Sequence, residues 1–89
     1  MMRPHKGPGL PTLPEGQHSV VQVDPSTGKV LDAKGERPCD VTQEDWALIF
    51  ESLEDAETYA QTITSQLPNL QCSIYDHKKQ WIKDVTSKG

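Results

Sequence analysis

Residues 18–24 (HSVVQVD) alternate, with Ser19, Val21 and Val23 on one parity and Val20 and Gln22 on the other. A period of two places the two sets on opposite faces of a β-strand. Residues 29–33 (KVLDA) predict a short second strand, joined to the first by the turn DPSTG. The segment 45–50 (DWALIF) is apolar on both parities, with Trp46, Leu48 and Phe50 on one face and Ala47 and Ile49 on the other. Such a strand belongs in the middle of a sheet, covered on one face by a helix, while its other face must find a tail, a loop or a partner.

The spacing then changes. Leu53, Ala56, Ala60, Ile63 and Leu67 recur at intervals of three and four, Ser52 stands as an N-cap, and Glu54, Asp55 and Glu57 crowd the first turns. Negative charge there complements the helix dipole, and Pro68 ends the element. After the helix, 70–76 (LQCSIYD) puts Leu70, Cys72 and Ile74 on one face, and Asp76-His77-Lys78-Lys79 turns the chain into QWIKDV. Two strands after the helix give the order β-β-β-α-β-β. The predicted fold is α+β, a mostly antiparallel sheet of four to five strands with one helix across one face.

Residues 1–17 (MMRPHKGPGLPTLPEGQ) hold four of the seven prolines and three of the six glycines. Proline cannot donate a sheet hydrogen bond and favours extended backbone, so this segment is expected to be a disordered tail, leaving 18–89 as one small domain. Leu10-Pro11-Thr12-Leu13-Pro14 carries the spacing of a proline-rich docking arm that would lie in a partner's groove. Residues 34–44 (KGERPCDVTQE) read as a long polar connection.

Within residues 46–85, the run Trp46-Ala-Leu-Ile-Phe-Glu-Ser-Leu-Glu-Asp-Ala-Glu, followed by Ile74-Tyr75-Asp76, resembles small uncharacterised bacterial α+β domains with a strand, a capped helix and a second strand. The resemblance implies the fold and no activity.

With 89 residues, 34% of them apolar, only a modest core can form, and self-association is one route to further burial. A net charge of −4 argues against general nucleic-acid binding. No apolar run approaches the roughly 18 residues of a membrane span and the start lacks a secretory pattern, so the expected location is cytoplasmic. Cys39 and Cys72 are then expected to stay reduced, Cys72 as a small core residue.

Chemistry is sparse. DPSTGK approaches a phosphate-binding loop, but Val23 stands where its first glycine is required and Val30 where the magnesium-binding hydroxyl belongs, whereas every residue suits a turn. No two of His5, His18, His77, Cys39 and Cys72 stand at a metal-ligand spacing, and no nucleophile elbow or cofactor pattern is found. The chain reads as no enzyme. A ligand carrier would need a pocket lined from the 34–44 connection.

Between Asp40 and Glu57 there are seven acidic residues and no basic one, while Lys78, Lys79, Lys83 and Lys88 gather towards the end. Such polarity steers a basic partner, joins the acidic end of one copy to the basic end of another, or is a solvated surface. The leading expectation is a non-catalytic protein-protein interaction or self-association module, a homodimer or the partner of another protein, with Trp46, Tyr75 and Trp81 as aromatic anchors. The alternative is nucleic-acid binding through the last hairpin, with Lys78, Lys79 and Lys83 on phosphates and Trp81 or Tyr75 stacking on bases.

Overall fold

A computed structural model of the protein describes residues 3–5, 9–35, 37–39 and 45–87. Its elements are β1 (Arg3–His5), β2 (His18–Asp24), β3 (Lys29–Val30), β4 (Ala47–Phe50), α1 (Leu53–Gln66), β5 (Gln71–Tyr75) and β6 (Trp81–Val85). The expected α+β class and the order β-β-β-α-β-β are found over residues 18–85, with β1 added ahead of them. All pairings are antiparallel in the order β1-β4-β2-β5-β6, and β3 pairs with the far end of β2. β4 and β5 both run antiparallel to β2 and so parallel to each other, with β2 between them and α1 as the crossover.

β4 is interior as its sequence predicts, but the centre of the sheet is β2, the longest strand. Val20, Leu48, Phe50, Cys72 and Ile74 face α1 and pack on its Ala56 and Ala60, with Leu53, Tyr59 and Ile63 at the margins. The two alanines bring helix and sheet close. Ser52 caps the helix, its hydroxyl accepting from the Asp55 amide at 3.1 Å. The buried stripe is rotated from the expected one. Thr64 is 1% exposed, its hydroxyl donating to the Ala60 carbonyl, whereas Leu67 is 37% exposed. Leu67 is the C-cap, with φ −122° and ψ 83°, and has already left the helical period.

The turn 24–28 closes β2 onto β3. The Asp24 carbonyl accepts from the Gly28 amide at 2.7 Å, the Asp24 carboxylate accepts from the amide and hydroxyl of Ser26, and Gly28 has φ +74°. The return strand covers two residues where KVLDA predicts five. Beyond it Leu31 turns into the helix-side core and bridges to Pro38.

The opposite face of the sheet is also covered. Val21, Ala47 and Trp46 form a second buried cluster, on which Leu10, Val23, Val30, Cys39 and Tyr75 pack. Trp46 therefore departs from the face shared by Leu48 and Phe50: it precedes β4, outside the pleat that would enforce alternation, and its ring meets His5 edge-on at 5.9 Å. Of the segment 1–17, expected to be a disordered tail, the described residues 3–5 and 9–17 contribute to the domain, and 1–2 and 6–8 lie outside the described residues. Arg3–His5 pair with β4 as an edge strand, a position where Pro4 is tolerated, and Leu13 is 8% exposed. Of the connection 34–44, positions 36 and 40–44 lie outside the described residues, as does Lys88.

Candidate functional site: the β5–β6 hairpin

The hairpin is organised by Asp76. Its carboxylate accepts from the amides of Lys78 (2.8 Å) and Gln80 (2.9 Å), and its own amide donates to the Gln80 carbonyl. The Gln80 and Lys78 amides, helped by the nearby imidazoles of His77 and His18, hold the Asp76 carboxyl below its ordinary range. Lys79 closes the turn with φ +68°.

Past the turn, the pairing of β5 with β6 slips. Ile74 faces Lys83 and Tyr75 faces Trp81, so Ile82 is an extra residue, a β-bulge. Ile82 packs into the helix-side core and Lys83 also reaches the helix, its ammonium 2.9 Å from the Glu57 carboxylate. Trp81 and Asp84 are left together on the face opposite α1. There the Trp81 indole N–H donates to Asp84 Oδ1 at 2.9 Å, and the same oxygen accepts from the Ser73 hydroxyl at 2.7 Å. Trp81 is 58% exposed. Its polar atom is satisfied and its orientation held, so what it offers to solvent is an apolar ring.

The three expected aromatic anchors are not one patch. Trp46, 6% exposed, is buried within the monomer and joins the second core, so it is withdrawn from any surface. Tyr75 is half-buried at the edge of that core, opposite Trp81. The three lysines are separated too. Lys78 and Lys79 are exposed at the turn, while Lys83 points to the other face and is engaged by Glu57. Of the alternative nucleic-acid set, Lys78 and Lys79 thus stay together at the turn apart from Lys83, and the Asp84 carboxylate lies beside Trp81.

Among the described residues, the acidic and basic runs do not form two poles; Asp40, Glu44 and Lys88 lie outside them. Phe50 pairs with His18, and the next residue, Ser19, pairs with Tyr75, so the helix start and the β5–β6 turn sit at one end of the sheet. Glu51, Glu54 and Asp55 thus share that end with Lys78 and Lys79.

A groove of about 740 Å³ opens at the other end, between the 24–26 turn, Leu31, Gly35, Pro38 and Leu70. Among the described residues that line it Asp24 is the one ionisable group, and its carboxyl is held low by its bonds to the Ser26 hydroxyl and amide. Cys72 is buried, and desolvation raises its thiol to about 12, which leaves no thiolate for nucleophilic work at neutral pH. Among the described residues no group of three or more His, Cys, Asp or Glu side chains is placed to hold a metal ion, and no helix is long and apolar enough to cross a membrane. No family model matches the chain, and neither a curated protein nor a solved structure does.

Proposed function

We propose that the chain is a non-catalytic protein-protein interaction module whose partner seats on the β5–β6 hairpin, with Trp81 as the central anchor and Tyr75 beside it. The observation that carries this reading is the fixed, exposed Trp81. An aromatic ring already oriented by the Asp84 bond loses little conformational freedom when a partner covers it, and tryptophan is the residue most enriched at interface hot spots. The edges of the sheet are poor alternatives. β6 is interrupted by its bulge and carries Lys83 and Asp84, and β1 is three residues long with Pro4 at its middle, devices that discourage strand addition. The resemblance over residues 46–85 adds a bacterial setting.

The test compares wild type with Trp81→Ala and Trp81→Phe as affinity baits, with thermal stability measured on each. A partner that wild type retains should be lost by Trp81→Ala and partly recovered by Trp81→Phe, with the two variants equally stable. Equal retention by all three proteins refutes the anchor.

A further inference from the structure

The segment with the docking-arm spacing is already docked on its own chain. Leu10 packs on the cluster of Val21, Trp46 and Ala47, Leu13 is buried with its amide 3.5 Å from the His77 carbonyl, and Arg3–His5 are paired with β4. This arm is joined to the body through one tight turn. The Gln17 amide donates to the Pro14 carbonyl at 3.2 Å, His18 Nδ1 donates to the Gly16 carbonyl at 2.9 Å, and β2 begins at His18. Gly16 has φ +94°, a region that L side chains avoid, and no other atom lies within 4 Å of where its Cβ would be. The turn combines these bonds with the backbone freedom of Gly16, and the Gln17 side-chain amide beside it donates to the Glu51 carboxylate at 3.3 Å.

From these features we propose that the arm is exchangeable: two copies open at Pro14–Gln17 and each lays its Leu10–Leu13 segment and β1 on the sheet of the other, forming a reciprocal homodimer. The complementarity that such a dimer requires is already present, because the acceptor surface and its occupant are encoded in one chain and fitted to each other in the closed form. Exchange reproduces every arm-to-sheet contact, so only the turn and the concentration decide between the forms. The arm itself is suited to transfer. Pro11 and Pro14 keep its backbone extended when it is released, which lowers the entropy lost on landing. Departure breaks the β1–β4 pairing, the 2.9 Å bond from the Trp46 amide to the His5 carbonyl and the long 3.5 Å bond from the Leu13 amide to the His77 carbonyl, and landing on a second copy remakes all of them. An extended stretch of four residues at the hinge spans about 13 Å. Trp81 has no part in the exchange, so Trp81→Ala leaves it intact while abolishing the contact proposed above.

The hinge provides the test. In Gly16→Val the closed turn is strained and the opened one is not, and each dimer relieves two hinges. Light scattering on the full chain, over roughly a hundredfold range of concentration, should show the dimer dissociation constant falling by about tenfold to a thousandfold relative to wild type. To identify what crosses, Thr12→Cys and Lys78→Cys, which neighbour Leu13 and His77, are joined by a short thiol-specific linker in a Cys39→Ser background with Gly16→Val. Covalent dimers on a denaturing gel are expected. Monomer at every concentration, or a dimer whose cross-links stay within single chains, overturns the proposal. If Gly16→Val does not fold, Gly16→Ala takes its place with the same two readouts.

Discussion

Gln22 is fully buried in the helix-side core, and every polar atom of its side chain is used. Its amide N–H groups donate to the carbonyls of Asp32 (3.1 Å) and Ala33 (2.8 Å), and its oxygen accepts from the Tyr59 hydroxyl at 2.7 Å. One side chain thereby ties the connection after β3 to the sheet and to α1, which is what a longer β3 would otherwise have done. Burial, with Cys72 nearby, raises Tyr59 from its ordinary 10.0 to about 12, and burial raises the Cys72 thiol from 9.0 to about 12. Both folded values lie above the unfolded ones, so the unfolded chain gives up these protons first. The stability they support is whole below pH 9 and is lost as pH climbs towards 12. Asp76 has the opposite sign. Its folded value is depressed, so its contribution is present above 3.8 and is lost on acidification through the folded value. Urea midpoints measured across the alkaline range should therefore fall, and fall less steeply in Tyr59→Phe. A wild-type midpoint that stays level up to pH 12 would contradict the burial of both groups.

The helix and the first hairpin were readable because their signals are local. Ser52, the acidic first turn and Pro68 bound α1 within one residue of where they predict, and DPSTG makes the turn that its composition demands. The last hairpin was only half readable. Strict alternation would put Trp81, Lys83 and Val85 on one face, and it is the bulge at Ile82, set by packing against the distant helix, that sends Trp81 to the other. Thr64 rather than Leu67 completes the helix stripe because Leu67, as the C-cap, has already left the helical period. The turn residue Lys79 permits a direct check of how much strain this hairpin holds. A lysine at φ +68° is unfavourable, and glycine there removes the clash while adding freedom to the unfolded chain. Lys79→Gly should stabilise by about 0.5 to 1 kcal/mol, a rise in Tm of a few degrees by calorimetry. A fall in Tm would mean that the exposed side chain contributes more than its backbone costs.

Proline density hid the arm, because a segment poor in sheet donors can still add a three-residue edge strand and bury single side chains. Leu13 is buried and Leu10 half-buried, and no period marks them. With the arm in place, Leu67 and Trp81 are the large apolar side chains left exposed among the described residues, so most of the thin apolar content is buried without a second chain. Self-association is therefore no requirement of the fold, and a dimer formed by exchange would gain little new burial beyond what the closed form has. The burial of Leu13 is the point on which this reading turns. An exposed tail leucine changed to alanine costs well under 0.5 kcal/mol, whereas truncating a buried one costs about 2 to 3 kcal/mol at the lower end of core substitutions. For a domain whose total stability is roughly 5 to 15 kcal/mol that is a large share. Urea unfolding of Leu13→Ala should show that loss, and limited proteolysis should cut the variant near Gly16 faster than wild type, because an arm that has lost its anchor exposes the hinge. An unchanged midpoint with unchanged cleavage would place the arm off the sheet and remove the basis for exchange as well.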